Sequence, residues 1–205
     1  MKSSTSSPDL RIRRTYKFLW DALISLMAER DFASITVTDL CERAMVHRTT
    51  FYKHYEDKDG LLLHGIQSEL NALFAAVDQS VAAPVARGEL PDTRVWLGAV
   101  FEHVLRQGGF YRLMLTGDGF SQFGALLRKS LAARLERRLL QEGKQMSLPI
   151  ALHADVQAAA LVSMLSWWLE NDCPYTPVEM IKYIDEHLDL VGGSHARDAP
   201  TRHHR

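Results

Sequence analysis

The stretch that most constrains this chain is Thr36 to Lys58, TVTDLCERAMVHRTTFYKHYEDK. It reads as two short helices joined by a tight turn, with a third helix starting just beyond. Thr36 followed three residues later by Asp39 is a capping-box-like start, in which side chains satisfy orphan N–H groups reciprocally. Leu40, Cys41 and Ala44 then give one apolar face at helical spacing. The turn Met45-Val46-His47 is too short for anything but a sharp change of direction. The second helix is expected from Arg48 to Tyr55. With successive residues about 100° apart, Phe51 and Tyr55 fall together and anchor it on the first helix. Thr49, Tyr52 and Lys53 then point away, with Arg48, Thr50 and His54 on the flanks. A free face of hydroxyls, a phenol and cations suits a polar, anionic surface, and DNA fits that description best.

From Phe32 to Lys58 these residues align without a gap with the helix-turn-helix of the TetR (tetracycline-repressor) family of bacterial regulators, which they resemble. The markers are the helix-opening Thr36, the aromatic pair Phe51-Tyr52, the aromatic Tyr55 and the Lys58 that begins the next helix. Two positions depart from the pattern: Met45 stands where Gly is usual, and His47 where the cap is usually Ser or Thr. A side chain at Met45 costs about 1 kcal/mol if its φ is positive. The resemblance implies an all-α protein, with an N-terminal three-helix DNA-binding domain joined to a helical-bundle regulatory and dimerisation domain. It also implies a homodimer that binds a near-palindromic operator in double-stranded DNA and is released by an unknown small-molecule effector. On this reading Thr36, Tyr52 and Lys58 hold phosphates, while Arg48, Thr49, Thr50, Lys53 and His54 face base edges or flanking phosphates. The alternative is a co-regulator that carries the same scaffold to a protein partner without its own operator, for which Met45 and His47 are the support.

At 205 residues the chain is long enough for one or two small domains with a real core. A formal net charge of −1 confines any nucleic-acid contact to a local patch, for which Arg11, Arg13, Arg14, Lys17, Arg43, Arg48, Lys53 and Lys58 are candidates. Acidic residues lie among them, so ordinary solvated charge is the competing explanation. Two distant cysteines, Cys41 and Cys173, show no metal spacing and suit a reducing cytoplasm. The Ser-rich start lacks an apolar segment, and the uncharged run Val156–Leu169 is too short to cross a bilayer. A cytoplasmic protein without a membrane partner is expected.

Taken in order, residues 1–9 are expected to be a disordered tail, with Arg11, Arg13 and Arg14 either a basic arm or a solubilising helix start before a first helix over Thr15–Arg30. The DNA-binding domain is assigned to 10–70, the helical ligand-binding and dimerisation domain to 71–191, and a second tail to 192–205. A connecting helix runs from Lys58 to about Val81 on the stripe Leu62, Ile66, Leu70, Leu73 and Val77, and the segment from Ala83-Pro84 to Pro91 breaks it. Further helices are expected over Asp92–Gln107, Gly109–Leu115, Phe120–Gln141, Pro149–Asn171 and Pro177–Leu190, with no strand.

In the second region the helix around Val156–Leu169 is apolar around most of its circumference, which places it in a core or a subunit interface. The resemblance assigns the last two long helices to the dimer. Two recognition helices must then sit about 34–36 Å apart, or a multiple of that, to enter successive major grooves. The resemblance also implies an effector pocket, with Trp96, Phe101, His103, Phe110, Tyr111, Met114, Phe123, Met164 and Trp167 as candidate lining, although such residues at helical spacing equally serve as plain core. Arg112 and His103 are the polar discriminators. No hydrolase elbow, zinc-protease motif, phosphate loop or dinucleotide fingerprint is present, so no enzyme activity, metal or cofactor is expected.

Overall fold

The structure, a computed structural model, describes residues 8–89, 92–116, 121–143 and 149–187. Among them it contains nine α-helices, one 3₁₀ turn and no strand. The helices are α1 (Pro8–Glu29), α2 (Val37–Ala44), α3 (Arg48–Phe51), α4 (Lys58–Ala86), α5 (Thr93–Arg106), α6 (Gly108–Thr116), α7 (Ser121–Glu142), α8 (Ile150–Glu170) and α9 (Pro177–His187), with the 3₁₀ turn at Phe32–Ser34. The expected end of the last helix at Leu190, residues 1–7 of the first tail, the second tail and the Leu90-Pro91 break lie outside the described residues.

Three boundaries differ from the pattern reading. Helix α1 begins at Pro8 rather than Thr15, so Arg11, Arg13 and Arg14 stand on a helix and not in an arm. Proline's fixed φ and missing N–H suit a first helical position, which makes PDLRIRR a valid opening. Helix α3 is four residues long, not eight. Past Tyr52 the ladder tightens to a three-residue bond, His54 N–H to the Phe51 carbonyl at 2.9 Å, and the chain continues as turns to Tyr55. Helix α4 carries Pro84 inside it and ends at Ala86. The missing proline N–H removes a single bond in the last turn, too near the end to break the helix earlier. The expected domain boundary at 70/71 therefore falls in the middle of one continuous helix.

Helix α8 differs in another way. Its 21 residues are, by length and composition, apolar enough to cross a membrane, whereas the uncharged run alone is too short. Here it packs along α6 and α7 and buries Ala154, Ala158, Leu161, Leu165, Trp168 and Leu169. Its Asp155 is ion-paired to Arg128 of α7 at 2.6 Å.

The N-terminal helices bury Leu19, Leu23, Leu26, Ile35, Leu40, Phe51 and Leu61, and this small core is continuous with that of the second region. The seam is Trp20. Its ring lies over Gly65 so closely that a Cβ there would meet ring carbon at 1.9 Å. It also packs 5.6 Å from Phe110 of α6, and its indole N–H donates to the half-buried Glu69 carboxylate at 3.2 Å. Loss of water around that carboxylate raises its pKa above the ordinary glutamate value.

Candidate nucleic-acid interface

Helix α2 starts as its sequence dictates. The Thr36 hydroxyl accepts from the Asp39 N–H at 3.1 Å, and the Asp39 carboxylate accepts from the Thr36 N–H at 2.8 Å and its hydroxyl at 2.7 Å. Those bonds, with Arg30 beside them, hold the Asp39 carboxyl below its usual pKa. In this structure the single Thr36 hydroxyl proton goes to Asp39, so Thr36 fixes the start of α2. At the other end Met45 takes the left-handed conformation, φ 52° and ψ 39°, as its place in a glycine position requires.

Helix α3 presents its side chains as the angular argument predicts. Phe51 is wholly buried, and Tyr55 packs at its flank with ring centroids 5.7 Å apart. Arg48, Thr49, Lys53 and His54 are exposed, Tyr52 is 51% exposed, and Thr50 is half-buried. His47 caps without a side-chain bond to the helix; its Nδ1 instead lies 3.3 Å from the Thr49 hydroxyl. Tyr55 is tied back to α4 by a 2.7 Å hydrogen bond with His64 Nδ1, and burial pushes its hydroxyl pKa up to about 12.

The cationic patch is smaller than its sequence roll suggests. Arg43 holds Glu29 with two bonds of 2.7 and 2.9 Å and also reaches Ser25, while Lys17 pairs with Asp21. Lys58 is also engaged within the fold. Its ammonium donates to the carbonyls of Phe32 at 2.7 Å, Ala33 at 3.1 Å and Ile35 at 2.8 Å, and sits 4.6 Å from the Phe32 ring centre. An ammonium has three N–H donors, and here they meet three carbonyls, so Lys58 fastens the start of α4 to the loop before α2. Among the described residues this leaves Arg48 of α3 and Lys53 of the turn after it as outward cations without an ion pair.

The nine pocket candidates do not form one site. Phe101, His103, Phe110, Tyr111, Met114 and Phe123 are buried together. Ring centroids lie 5.0 Å apart for Phe110–Tyr111, 5.2 Å for Phe110–Phe123 and 5.8 Å for His103–Tyr111. His103 Nε2 and the Tyr111 hydroxyl are buried there without a protein partner. Burial, with Arg106 nearby, lowers the His103 pKa, and burial raises that of Tyr111, so both are neutral. Trp96 lies elsewhere, in a shallow depression of about 150 Å³ with Val81, Val85 and Arg134. Met164 and Trp167 face a third place, an open groove of about 760 Å³ between α8 and α9, where Tyr175, Met180 and Tyr183 join them. Arg112 pairs with Asp172 at 3.0 Å and is not a pocket discriminator. The reading also missed the Trp20–Gly65–Glu69 seam, for which an isolated glycine inside a helical pattern was the available signal. No group of three or more metal-ligating side chains occurs among the described residues.

A three-helix unit with a capped α2, a left-handed turn and an outward polar α3 defines a helix-turn-helix DNA-binding regulator. The chain belongs to the TetR family: residues 19–64 match "Bacterial regulatory proteins, tetR family" and residues 95–189 match "Transcriptional regulator C-terminal region". It is a TetR-family transcriptional regulator. Over 60 residues it is 40% identical to the uncharacterized HTH-type transcriptional regulator YxbF of Bacillus subtilis (strain 168), a match spanning 29% of this chain and 16% of that protein. A TetR regulator of Streptococcus agalactiae 2603V superposes with TM-score 0.63 and 26% identity, over 85% of this chain and 93% of that one. A TetR-family regulator of Syntrophomonas wolfei str. Goettingen gives TM-score 0.72 at 15% identity, over 91% and 99% of the two chains.

Proposed function

We propose that this regulator is a cytoplasmic homodimeric repressor that binds a near-palindromic operator and is released by a small molecule. The observation that carries the reading is the two-sided character of α3, with Phe51 wholly buried and Arg48, Thr49, Tyr52, Lys53 and His54 exposed. An arginine on such a face pairs with guanine O6/N7 and a threonine methyl packs on thymine, each good pair being worth about 1–3 kcal/mol of discrimination. Tyr52 and Lys53 serve phosphates, Thr50 and His54 the flanks, and Thr36 and Lys58 act by fixing α2 and α4.

For the dimer, the supporting feature is the apolar surface left on the last two helices. Leu152, Val156 and Trp167 of α8 and Val178 and Tyr183 of α9 are exposed, and an uncovered apolar face of this kind marks an interface. For the effector, the support is the aromatic interior with the unpartnered His103 Nε2 and Tyr111 hydroxyl, since a ligand's polar group satisfies such atoms. Phe110 belongs to that interior and touches Trp20 of α1, so a ligand that moves α6 also moves the DNA-binding helices. Release then requires the ligand to bind the two dimer geometries with different affinity.

The test is a fluorescence-anisotropy titration with DNA flanking the protein's own gene, at two salt concentrations, for wild type and Tyr52→Ala. Tight, sequence-selective, salt-sensitive binding that collapses in the variant is the expected result. Equal weak binding of both proteins to every duplex would sink the operator reading. Sedimentation equilibrium decides the dimer separately: a monomer at micromolar concentration would remove it.

A further inference from the structure

Three non-glycine residues of the described chain have left-handed backbone: Met45 (φ 52°), Asp172 (φ 57°) and Cys173 (φ 52°). In an L-residue this conformation crowds Cβ against the following carbonyl, so it persists where the surroundings enforce it. The pair in the α8–α9 loop is enforced. The Asp172 carboxylate pairs with Arg112 at 3.0 Å, and the Cys173 N–H donates to the Trp168 carbonyl at 2.8 Å with its side chain packed on the core.

Met45 is different. Its turn is closed by backbone bonds alone, from its own N–H to the Cys41 and Glu42 carbonyls and from the Val46 N–H to the Cys41 carbonyl at 2.9 Å. A glycine would make all of them with less strain. The methionine side chain is 93% exposed, the highest value for any large apolar side chain described, the next being Val178 at 74%. The fold therefore derives no packing from this side chain and is strained by it. A residue that the fold does not use, and would hold better as glycine, has its use at a surface that meets something else.

Its position says what. Met45 ends α2 and stands two residues before the His47 cap of α3. In a helix-turn-helix the first helix crosses the DNA backbone and the N-terminal residues of the second reach the bases. The turn between them is therefore beside the groove, next to the exposed Arg48 and Thr49. We infer that the Met45 side chain is a DNA contact, laid on a thymine methyl or an adjacent deoxyribose at the edge of the major groove. It helps set sequence preference at the base pairs flanking those met by Arg48 and Thr49. An unbranched, uncharged, polarisable thioether is suited to an apolar contact of variable shape beside phosphates. This inference rests on the operator-binding reading.

The experiment uses full-length protein and a duplex selected from a random-sequence library by the wild type. Met45→Gly and Met45→Ala are then compared with wild type for thermal stability and for affinity at several salt concentrations. Met45→Gly is expected to melt higher than wild type, because the strain is gone, and yet to bind the selected duplex about tenfold more weakly. Met45→Ala, which keeps the strain but loses the thioether, shows the same weakening. The salt slope stays that of the wild type in both, since no phosphate contact is lost. A Met45→Gly or Met45→Ala protein that binds as tightly as wild type overturns the contact. So does a changed salt slope, which would mean that α3 itself had moved. Failure of wild type to enrich any sequence is a separate outcome that removes the operator reading, and this inference with it.

Discussion

The two regions of this regulator place their polar side chains in opposite ways. In α1 to α3 and the first turn of α4, most polar groups are locked into local structure or displayed, with the buried Tyr16 hydroxyl of α1 the exception. Thr36 and Asp39 cap each other, Lys58 holds three carbonyls, and Arg43 clamps Glu29. Arg48, Thr49, Lys53 and His54 are exposed. In α5 to α9 the charged groups pair across the exterior, as in Arg94–Asp185 and Arg128–Asp155, while His103 and Tyr111 lie inside with unpartnered atoms. The first arrangement suits a rigid reader whose surface is complete before its partner arrives. The second suits an interior that a guest can complete. Displayed polar groups are inexpensive because water serves them, whereas buried ones lacking a partner carry a desolvation cost of about 1–3 kcal/mol.

The contrast is tested most severely at Trp168, which is fully buried, stacks edge-on 5.2 Å from Phe101 and donates to the Tyr175 carbonyl at 2.8 Å. Trp168→Ala is expected to lower the unfolding free energy by about 3–5 kcal/mol in urea denaturation. A small loss would mean that the second region is loosely packed already. Lys58→Ala comes next. If Lys58 is a fastener it loses about 1.5–3 kcal/mol of stability and leaves the salt dependence of DNA binding unchanged. Unaltered stability with a salt slope reduced by about one would return it to the phosphate contacts.

Gly65→Ala sharpens the comparison at the seam. The new Cβ displaces the Trp20 ring, at a cost of about 1–3 kcal/mol, and calorimetry should show the single transition of wild type separating into two. A single unshifted transition would show that Trp20 does not join the regions. The smallest effect concerns pH. Burial lowers the His103 pKa in the folded protein, so the unfolded chain binds the extra proton first. Stability from this group is complete above its unfolded pKa of about 6.5 and is lost as pH falls below it. Glu69, whose folded pKa is raised, contributes in the opposite sense at lower pH. Thermal melts at pH 7.5 and 5.5 (about one unit either side of the histidine value) for wild type and His103→Phe isolate the histidine: the variant should lose less stability on acidification. An equal loss in both would mean that His103 is not buried in its neutral form.

Much of the first region was legible because its determinants are local. A capping box spans four residues, a helix-turn-helix turn three more, and the outward face of α3 follows from 100° steps. What the local reading could not supply were the partners from distant segments: Lys58 meets carbonyls 23 to 26 residues earlier in the chain. The second region shows the reverse. Helix limits were readable from Gly and Pro punctuation, so α5 to α8 begin and end within a residue or two of their expected places. Their side-chain partners were not readable, since Trp96, Tyr111 and Trp167 all present the same aromatic signal at helical spacing.

The sequence by itself determined that the chain is helical, where it turns, and that α2 is capped by Thr36 and Asp39. Each of these depends on φ/ψ limits, hydrogen-bond reach and periodicity among neighbours in the chain. Only the tertiary structure decided that Lys58 and Thr36 are internally committed. It also divided the nine aromatic, Met and His candidates among an interior cluster, a depression and a groove, and made Trp20 the link between the regions. Those outcomes depend on which helix faces lie within a few ångströms of one another, which is a property of packing among distant segments and leaves no periodic trace in any one of them.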